Sequence, residues 1–454
     1  MQRNSTGSVT RSAGIGIAIV LSATALTSCA GAGGGGSAGG DRTTLTIATV
    51  NTPQMSDMQE LAPKFEEAHP DIKLNFIQMS ESDLRDAVTA DIATQGGKYD
   101  VLTIGSYEVP IWGANGWLTD LSGPASESAG YDVDDIMAPI RESVTVDDKM
   151  YAAPFYGESS FLMYNKEILD AAGFTVPEHP TWDEVAEMAR AVDDDDHVGI
   201  CLRGKPGWGE GIVPLTTMAQ TFGGGWYDMD WKAGLNAAPF VEATQFYTDL
   251  IKDAGEDDPV SFGFTECLNL FTQGKAAFWY DATSAAGPVE SPEQSQIAGK
   301  VGFAHAPVRD TAESGWLWSW NLAIPASSKK QDAAWTFMEW ATGKEYITLV
   351  GEEFGWSRVP PGTRESTYEI PEYREEASSF ADLTHDIILA VNPKQPGVNP
   401  QPWVGVQYVT IPEFQDLGNQ VSQQLAEVYA GRKTVEEALD AAQQLAEKAA
   451  PTDK

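Results

Sequence analysis

Basic residues are scarce in this sequence, and their scarcity argues against one class of partner. The chain has 29 Lys and Arg against 66 Asp and Glu, which gives a formal net charge of -37. Nucleic-acid binding requires clustered cations, and docking on anionic lipid requires a basic patch. The acidic residues are spread along the chain, as on a solvated surface. We therefore predict no nucleic-acid partner.

Long hydrophobic runs are also missing. No segment beyond the N-terminal region has the ~18 uncharged apolar residues of a membrane-spanning helix. The run from Ile15 to Leu26 covers about a dozen residues, which is too short to cross a bilayer. It follows Arg3 and Arg11, and residues 1–13 contain no acidic residue. A basic start followed by a short apolar segment is typical of a secretory signal.

Cysteine is rare, with three residues in the whole chain. The first ends the segment Leu26-Thr27-Ser28-Cys29, which resembles the lipobox of bacterial lipoproteins. We predict a signal peptide at 1–28, a lipid such as palmitate on Cys29, and a flexible Gly-rich tether over 29–41. The protein would then be anchored outside the cell membrane. The alternative, a buried structural Cys29, lacks neighbours that could pack around it.

The remaining cysteines are Cys201 and Cys267. In an exported protein, one leftover pair suggests a disulfide. Two separate buried thiols are the alternative, and the sequence leaves both open.

Signatures of catalysis and of metal binding are absent from the sequence pattern. The five histidines show no metal-ligand spacing, and no Gly-x-Ser-x-Gly elbow is present. A glycosidase would need two carboxylates about 5–9 Å apart, and nothing marks such a pair among the 66 acidic residues. We predict no catalytic residue, no metal and no cofactor.

What the sequence does contain is an alternation of strand and helix patterns. Pro63 interrupts the first helix pattern, where we expect a kink or a late start. Thr181 and Thr434 each open a capping box. Strand–helix alternation with short links predicts α/β architecture with a parallel sheet. The predicted strands are 45–50, 72–76, 101–104, 161–164 and 197–202, and the main predicted helices are 58–65, 84–92, 182–192, 240–253, 331–342, 411–430 and a final helix after Thr434.

Two loops follow the carboxyl ends of predicted strands, which is where ligands bind in open α/β sheets. They are Asn51–Gln54 and Gly105–Glu108, and they offer amide, hydroxyl, carboxylate and aromatic groups. We expect both loops to contact a ligand.

Tryptophan is abundant, with 14 residues, many of them beside Gly or Pro. Trp316, Trp318 and Trp320 alternate and therefore share one face of a strand. An indole can stack on the C–H face of a carbohydrate, whose hydroxyls need charged or amide partners. Core packing is the alternative for any single Trp.

Three segments combine aromatic and charged residues at strand ends: 154–160, 203–211 and 279–283. The second contains Gly204-Lys205, but Pro206 stands where a phosphate loop needs Ser or Thr. We therefore predict a carbohydrate site rather than a nucleotide site. A glycine-rich surface turn and a strand-end cap are the structural alternatives.

Several stretches resemble the family 1 extracellular solute-binding proteins, which serve ABC importers. They are Pro154–Leu169 (PFYGESSFLMYNKEIL), Gly315–Trp340 and Gly431–Ala442 (GRKTVEEALDAA). Within that family, Arg203–Glu210, Asp281–Gly287 (DATSAAG) and Ile411–Gly418 (IPEFQDLG) resemble the sorbitol- and mannitol-binding proteins. Gly211 departs from the polyol pattern, which has Asn after Trp-Gly-Glu.

The resemblance implies a two-lobed periplasmic-binding-protein-like fold of type II, with a hinge of two or three crossing strands. It implies an N-lobe of residues 42–158 and 318–373, and a C-lobe of residues 159–317 and 374–454. The chain would cross near Ser159, Trp318 and Tyr373. The lobes would close around the ligand, and the loaded form would be recognised by membrane permease subunits. We expect a monomer.

The sequence thus predicts a binding protein for a sugar alcohol or similar small carbohydrate, and not an enzyme. Alternatives are a mono- or disaccharide ligand, a lipid-anchored carbohydrate-active hydrolase, and an adhesion or scaffold lipoprotein. The predicted ligand-binding residues are Asn51, Gln54, Tyr107, Glu108, Tyr156, Glu158, Arg203, Trp208, Glu210, Trp279, Asp281, Trp318, Trp320, Asn321 and Arg358.

Overall fold

The computed structural model describes residues 42–451. The predicted signal peptide, the predicted lipidation at Cys29 and the tether lie outside the described residues. The strands are β1 (Thr43–Val50), β2 (Ile72–Met79), β3 (Val101–Gly105), β4 (Thr145–Val146), β5 (Lys149–Met150), β6 (Ala153–Glu158), β7 (Ser160–Asn165), β8 (Val198–Cys201), β9 (Ala276–Ala282), β10 (Val301–His305) and β11 (Trp318–Ala323).

Helices surround these strands, and within 42–451 none is long and apolar enough to cross a bilayer. They are α1 (Pro53–Ala68), α2 (Glu81–Thr94), α3 (Glu108–Ala114), α4 (Ser122–Glu127), α5 (Ala138–Ser143), α6 (Lys166–Ala172), α7 (Trp182–Val192), α8 (Ile212–Thr221), α9 (Ala238–Ala254), α10 (Phe264–Thr272), α11 (Ala286–Glu290), α12 (Gln331–Thr342), α13 (Lys344–Phe354), α14 (Pro371–Glu376), α15 (Ala381–Ala390), α16 (Phe414–Tyr429) and α17 (Val435–Ala449).

The strands form two main sheets, each the centre of one lobe. The first has the order β2-β1-β3-β11-β6, and the second has the order β10-β7-β9-β8. In the first sheet, β1 runs parallel to β2 and β3, whereas β11 is antiparallel to β3 and β6. The parallel pairing predicted for the first three strands is confirmed, and the complete sheet is mixed.

Burial explains why the central strands read as continuous apolar runs. Every residue of β3, β6, β9 and β11 is buried, as expected for strands whose two faces are both covered. The edge strand β2 instead alternates between buried and exposed residues over its first half. Because the central strands are buried along their whole length, the polar residues at their ends also lie inside the molecule.

The chain passes between the two sheets at β6 and β7, with Ser159 as the one residue between them. It returns from β10 in the second sheet to β11 in the first. Around Tyr373 the described chain forms the helix α14 and no strand, so any third crossing there is helical. The predicted lobe boundaries remain a prediction.

Local sequence signals account for several helix ends. The capping boxes at Thr181 and Thr434 are both formed, and α7 and α17 begin directly after them. Gly431 follows α16 with a φ of 70°, a left-handed conformation that favours glycine. The expectation of a late helix start at Pro63 is wrong, because α1 begins at Pro53 and runs through Pro63. Pro53 occupies the first turn, where a missing N–H costs nothing.

Candidate ligand-binding site

A cavity lies between the two lobes, at the carboxyl ends of the central strands. It contains about 480 Å³ of space free of protein atoms, part of it continuous with solvent. Both lobes contribute to its walls. The lining residues are Thr52, Glu81, Arg85, Tyr156, Glu158, Arg203, Trp208, Gly209, Val213, Phe264, Ala282, Ser284, Trp316, Trp318, Trp320 and Gln407.

The second lobe supplies an arginine held by an aspartate. Cys201 at the end of β8 pairs with Trp279 of β9, so that Arg203, two residues later, comes beside Asp281. The Arg203 guanidinium donates two hydrogen bonds to the Asp281 carboxylate, and its Nη1 donates to the carbonyl oxygen of Gly209 at 2.9 Å. A guanidinium has five N–H donors, so two remain available to a ligand.

Asp281 itself has no capacity left for a ligand. Besides Arg203, its carboxylate accepts from the Trp279 indole Nε1 at 3.0 Å and from the Ala282 backbone N–H at 2.7 Å. Its four lone-pair positions are therefore all engaged. The side chain is fully buried and lies behind Arg203, outside the cavity wall.

The first lobe supplies a second arginine from α2. Arg85 donates to the Glu81 carboxylate from Nε at 3.0 Å and from Nη2 at 2.8 Å, and it also forms an ion pair with Glu108. Its Cζ lies 4.0, 5.1 and 4.9 Å from the ring centroids of Trp208, Trp318 and Trp320, respectively. The cation thus contacts three indole rings, a favourable arrangement in a water-poor site.

Glycine at position 105 makes room for this aromatic group. The end of β3 lies directly under the Trp318 indole, and a Cβ on Gly105 would overlap that ring. The Gly105 N–H also donates to the Glu108 carboxylate at 2.9 Å, which fixes Glu108 beside Arg85.

Four polar atoms of the residues lining the cavity are buried without a hydrogen-bond partner among residues 42–451. They are Oγ1 of Thr52, Nε1 of Trp208, Nε1 of Trp316 and Oε1 of Gln407. A buried polar atom without a partner costs about 1–3 kcal/mol, so such atoms normally meet a ligand or water. Two indole donors, one amide acceptor and one hydroxyl around one cavity suit a ligand rich in hydroxyl groups, since a hydroxyl can donate and accept.

Two buried carboxyl groups near the arginines have raised pKa values. Burial raises the pKa of Glu158 to about 8, although Ser284 donates a hydrogen bond of 2.5 Å to its Oε2. Burial likewise raises the pKa of Glu210 to about 7, against the attraction of Arg203. Glu210 accepts from the Phe264 N–H at 3.0 Å.

Six of the predicted site residues line the cavity: Tyr156, Glu158, Arg203, Trp208, Trp318 and Trp320. Five others support the wall from behind: Tyr107, Glu108, Glu210, Trp279 and Asp281.

The other four predicted residues do not line this cavity. Asn51 borders a neighbouring groove, and the Gln54 side chain donates to the carbonyl oxygen of Ser284 at 2.9 Å. Asn321 is buried in the first sheet, where it donates to the Ile104 carbonyl at 3.2 Å. Arg358 is ion-paired with Asp57 of α1. The side chains of Gln54, Asn321 and Arg358 bind other parts of the protein. The sequence pattern could not distinguish such partners from a ligand.

Ten lining residues are not among the predicted site residues, although Thr52, Gly209 and Ala282 lie within the predicted ligand segments. Arg85 had a usable signal, because Glu81 and Arg85 are four residues apart on one helix face. Trp316 was recognised on the face of Trp318 but was left out of the site. Gln407 lies four residues before the recognised segment Ile411–Gly418, and the sequence pattern did not single it out. The ten are Thr52, Glu81, Arg85, Gly209, Val213, Phe264, Ala282, Ser284, Trp316 and Gln407.

Direct contacts between the lobes show that the structure is closed. Tyr107 of the first lobe donates its hydroxyl to the Ile411 carbonyl oxygen at 2.9 Å, and its ring packs edge-on against Trp208 at 5.2 Å. Thr89 of α2 donates to Gln415 of α16 at 3.1 Å. A ligand in the cavity would be enclosed by both lobes.

Residues 49–347 match the family model described as bacterial extracellular solute-binding protein. The chain belongs to this family. It is 44% identical over 405 residues to the mannitol-binding protein of Pseudomonas aeruginosa. The aligned residues cover 88% of this chain and 92% of that protein. Family membership makes the chain a solute-binding protein, of the kind that serves ABC transporters.

Two solved structures of solute-binding proteins are similar over most of the chain. One is an ABC transporter solute-binding protein from Agrobacterium vitis S4 with bound D-mannitol, at 48% identity and a TM-score of 0.87, covering 89% of this chain and 98% of that one. The other is from Agrobacterium radiobacter K84 in complex with ribitol, at 25% identity and a TM-score of 0.79, with the same coverage. The two-lobed α/β fold predicted from the sequence is thereby confirmed.

Proposed function

We propose that this protein captures an open-chain polyol, D-mannitol or a close stereoisomer, in the cavity between its lobes. The observation that carries the proposal is the set of unpaired indole and amide atoms beside Arg203 in that cavity. Among hydroxyl-rich ligands, we favour a sugar alcohol because two similar solute-binding proteins have mannitol and ribitol bound.

The charge of the wall supports a neutral ligand. Arg203 is paired with Asp281, and Arg85 is paired with Glu81 and Glu108. Because both cations already have carboxylate partners, the cavity offers no net positive charge to a phosphate or a carboxylate. The guanidinium N–H groups that remain suit neutral hydroxyls as charge-assisted donors.

Aromatic rings complete the proposed site. The indoles of Trp208, Trp316, Trp318 and Trp320 line the cavity, and they suit the C–H faces of a polyol chain. A flexible polyol loses conformational freedom on binding, so an enclosed site with many contacts is needed to hold it.

We also propose that the protein acts outside the membrane as a lipoprotein that delivers its ligand to ABC permease subunits. The Leu-Thr-Ser-Cys sequence ending at Cys29 supports lipidation, and the family supports the extracytoplasmic location. Closure by lobe contacts would give the loaded form the surface that the permease recognises. We propose that the protein is a monomer. We also propose that it has no catalytic activity, since its family and its relatives are binding proteins.

A thermal-shift screen of the full chain tests the proposal. D-mannitol, D-sorbitol, ribitol, D-glucose and maltose are the ligands. A polyol at about 100 times its Kd should stabilise the fold by about 2.7 kcal/mol. Stabilisation by maltose or glucose alone would overturn the polyol assignment.

Two variants locate the response. Arg203→Ala should abolish the polyol-induced shift. Arg309→Ala is the matched control, because Arg309 is also ion-paired in the second lobe, with Asp183, but lies outside the cavity. Release of product from nitrophenyl glycosides by the wild type would instead support a hydrolase.

A further inference from the structure

A cluster of two histidines and a glutamate lies in the second lobe, outside the ligand cavity. Glu178 and His179 precede α7, and His305 ends β10. One donor atom from each side chain lies within 4.8 Å of the other two. The two imidazole rings are stacked, with centroids 4.0 Å apart and planes inclined at 20°.

The backbone holds the two segments of the cluster together. The His305 N–H donates to the Glu178 carbonyl oxygen at 3.0 Å, and the Val308 N–H donates to the Pro180 carbonyl oxygen at 3.1 Å. The Trp182 N–H donates to the Val308 carbonyl oxygen at 2.9 Å. These hydrogen bonds fix the backbone of the two segments side by side, so that the three side chains share one position on the surface.

The donor set determines the class of ion. Tetrahedral zinc takes imidazole nitrogen and carboxylate oxygen at about 2.0–2.2 Å, whereas magnesium and calcium prefer oxygen ligands alone. Two imidazoles and one carboxylate leave a fourth position for water. We propose that Glu178, His179 and His305 bind one Zn²⁺ or a similar transition-metal dication.

The surroundings favour a cation at this position. Metal binding requires neutral imidazole. The carboxylates of Glu313 and Asp386 border the same groove as His305 and would attract a dication. Glu178 and His179 are exposed, so an ion can reach them from solvent. A bound ion would join the segment before α7 to the end of β10, and this role is independent of the proposed polyol site.

Isothermal titration of the chelator-treated full chain with ZnCl₂ tests the proposal. All proteins carry Cys29→Ser, because a free thiol would compete for zinc, and the buffer contains a millimolar excess of Mg²⁺ to saturate weak carboxylate sites. The variants are His179→Gln, His305→Gln and the control His197→Gln. His197 is another histidine of the second lobe beside a carboxylate, with its Nδ1 3.5 Å from Asp194.

The expected result is one Zn²⁺ per chain in the wild type and in His197→Gln. His179→Gln and His305→Gln should each weaken zinc binding by more than ~10-fold. Loss of a residue that only hydrogen-bonds to a metal ligand already costs at least that much, and these residues are proposed as ligands themselves. Zinc should raise the melting temperature of the wild type and not that of either variant. Metal-free melting curves that match the wild type show that the variants fold.

Two results would overturn the proposal. One is a wild type that binds no zinc in this buffer. The other is zinc binding of unchanged affinity in the double variant His179→Gln/His305→Gln, which would place the ion elsewhere on the acidic surface.

Discussion

Single side chains decide whether the cavity can hold hydroxyl groups. Arg203 reaches the cavity wall because Asp281 binds two of its N–H groups from behind. Asp281 does not line the cavity, so it affects ligand binding by holding Arg203 in place. The pair therefore acts as one unit, and changes to its two members should not be additive.

Asp281→Asn should weaken polyol binding by about 2–5 kcal/mol, because a buried charged partner of Arg203 is lost. Calorimetry with D-mannitol measures the loss. Asp183→Asn, which changes the partner of Arg309 outside the cavity, serves as the control. An unchanged affinity of Asp281→Asn would remove Asp281 from the mechanism.

Glu158 should make the stability of the fold depend on pH. Its pKa rises from 4.5 to about 8 in the fold because of burial, with Arg203 opposing the rise and Asp281 and Glu81 adding to it. Between these values the folded protein holds a proton that the unfolded chain has lost. The free energy of unfolding should therefore fall as the pH rises from about 4.5 to about 8 and should level off above this range.

Glu158→Gln cannot titrate and should lose this part of the pH dependence. Melting temperatures of the wild type and the variant, measured without ligand from pH 5 to about pH 8, give the difference. Glu167→Gln, at an exposed position, reports the background of the acidic surface. Parallel curves for wild type and Glu158→Gln would contradict the buried, protonated Glu158.

Sequence reasoning identified those cavity residues that lie at or shortly after a strand end and carry an aromatic or charged side chain. Arg203, Trp208 and Glu158 belong to this group. It could not tell which residues line the cavity and which lie behind them. Arg203 and Asp281, for example, both occur near a strand end beside aromatic residues. Which of two partners faces inward depends on strand register, and register is a property of the folded pair.

At the scale of elements, the end of β8 is held by a covalent bond. Cys201 at this end and Cys267 of α10 are joined by a disulfide, and their Cα atoms lie 5.7 Å apart. The bridge lies two residues before Arg203. It therefore anchors the strand end that carries the proposed ligand contact.

Replacing both cysteines by alanine should lower the free energy of unfolding. The bridge spans 66 residues, and closing a loop of this length stabilises a fold by about 4 kcal/mol in the chain-entropy model. Urea unfolding of the double variant against the wild type measures the difference. Equal unfolding midpoints and slopes would contradict a stabilising role for the bridge.

Helices and strands with strong periodicity were predicted from sequence, and their ends were less well predicted. The segment 411–430 was predicted as one helix, whereas α16 begins at Phe414. Tyr107 donates to the Ile411 and Pro412 carbonyl oxygens just before it. The contact with the other lobe occupies backbone groups that a longer helix would use, and sequence periodicity carries no information about such a partner.

At the scale of the whole molecule, function depends on the balance between open and closed lobes. Tyr107 links the lobes by a hydrogen bond and by ring contacts, and it does not line the cavity. A change at Tyr107 therefore acts on closure and leaves the ligand contacts in place. Affinity depends on the population of the closed state even when the cavity is unchanged.

Tyr107→Phe should reduce polyol affinity by roughly fivefold, because one hydrogen bond of the closed state contributes about 1 kcal/mol. Calorimetry gives the affinity, and small-angle scattering gives the radius of gyration with and without ligand. Tyr164→Phe is the control, since Tyr164 packs against Phe278 inside the second lobe. Equal affinities for wild type and Tyr107→Phe would show that this contact does not contribute to closure.

The two-lobed fold itself was predictable, because the resemblance of the crossover segments to the family implied two lobes and the strand–helix alternation indicated α/β architecture. The closed arrangement was not, since no local pattern encodes which side chains meet across a hinge. Arg85 and Trp208 belong to different lobes and come together only when the lobes close. The composition of the cavity therefore follows from closure as much as from the strands.

A crystal structure of the protein grown with D-mannitol tests the central claim most directly. The account predicts closed lobes with one polyol between them, its hydroxyl oxygens within ~3.2 Å of Arg203, Trp208 Nε1 and Trp316 Nε1. Polyol bound elsewhere, or a closed cavity in which these three groups contact no ligand atom, would contradict it.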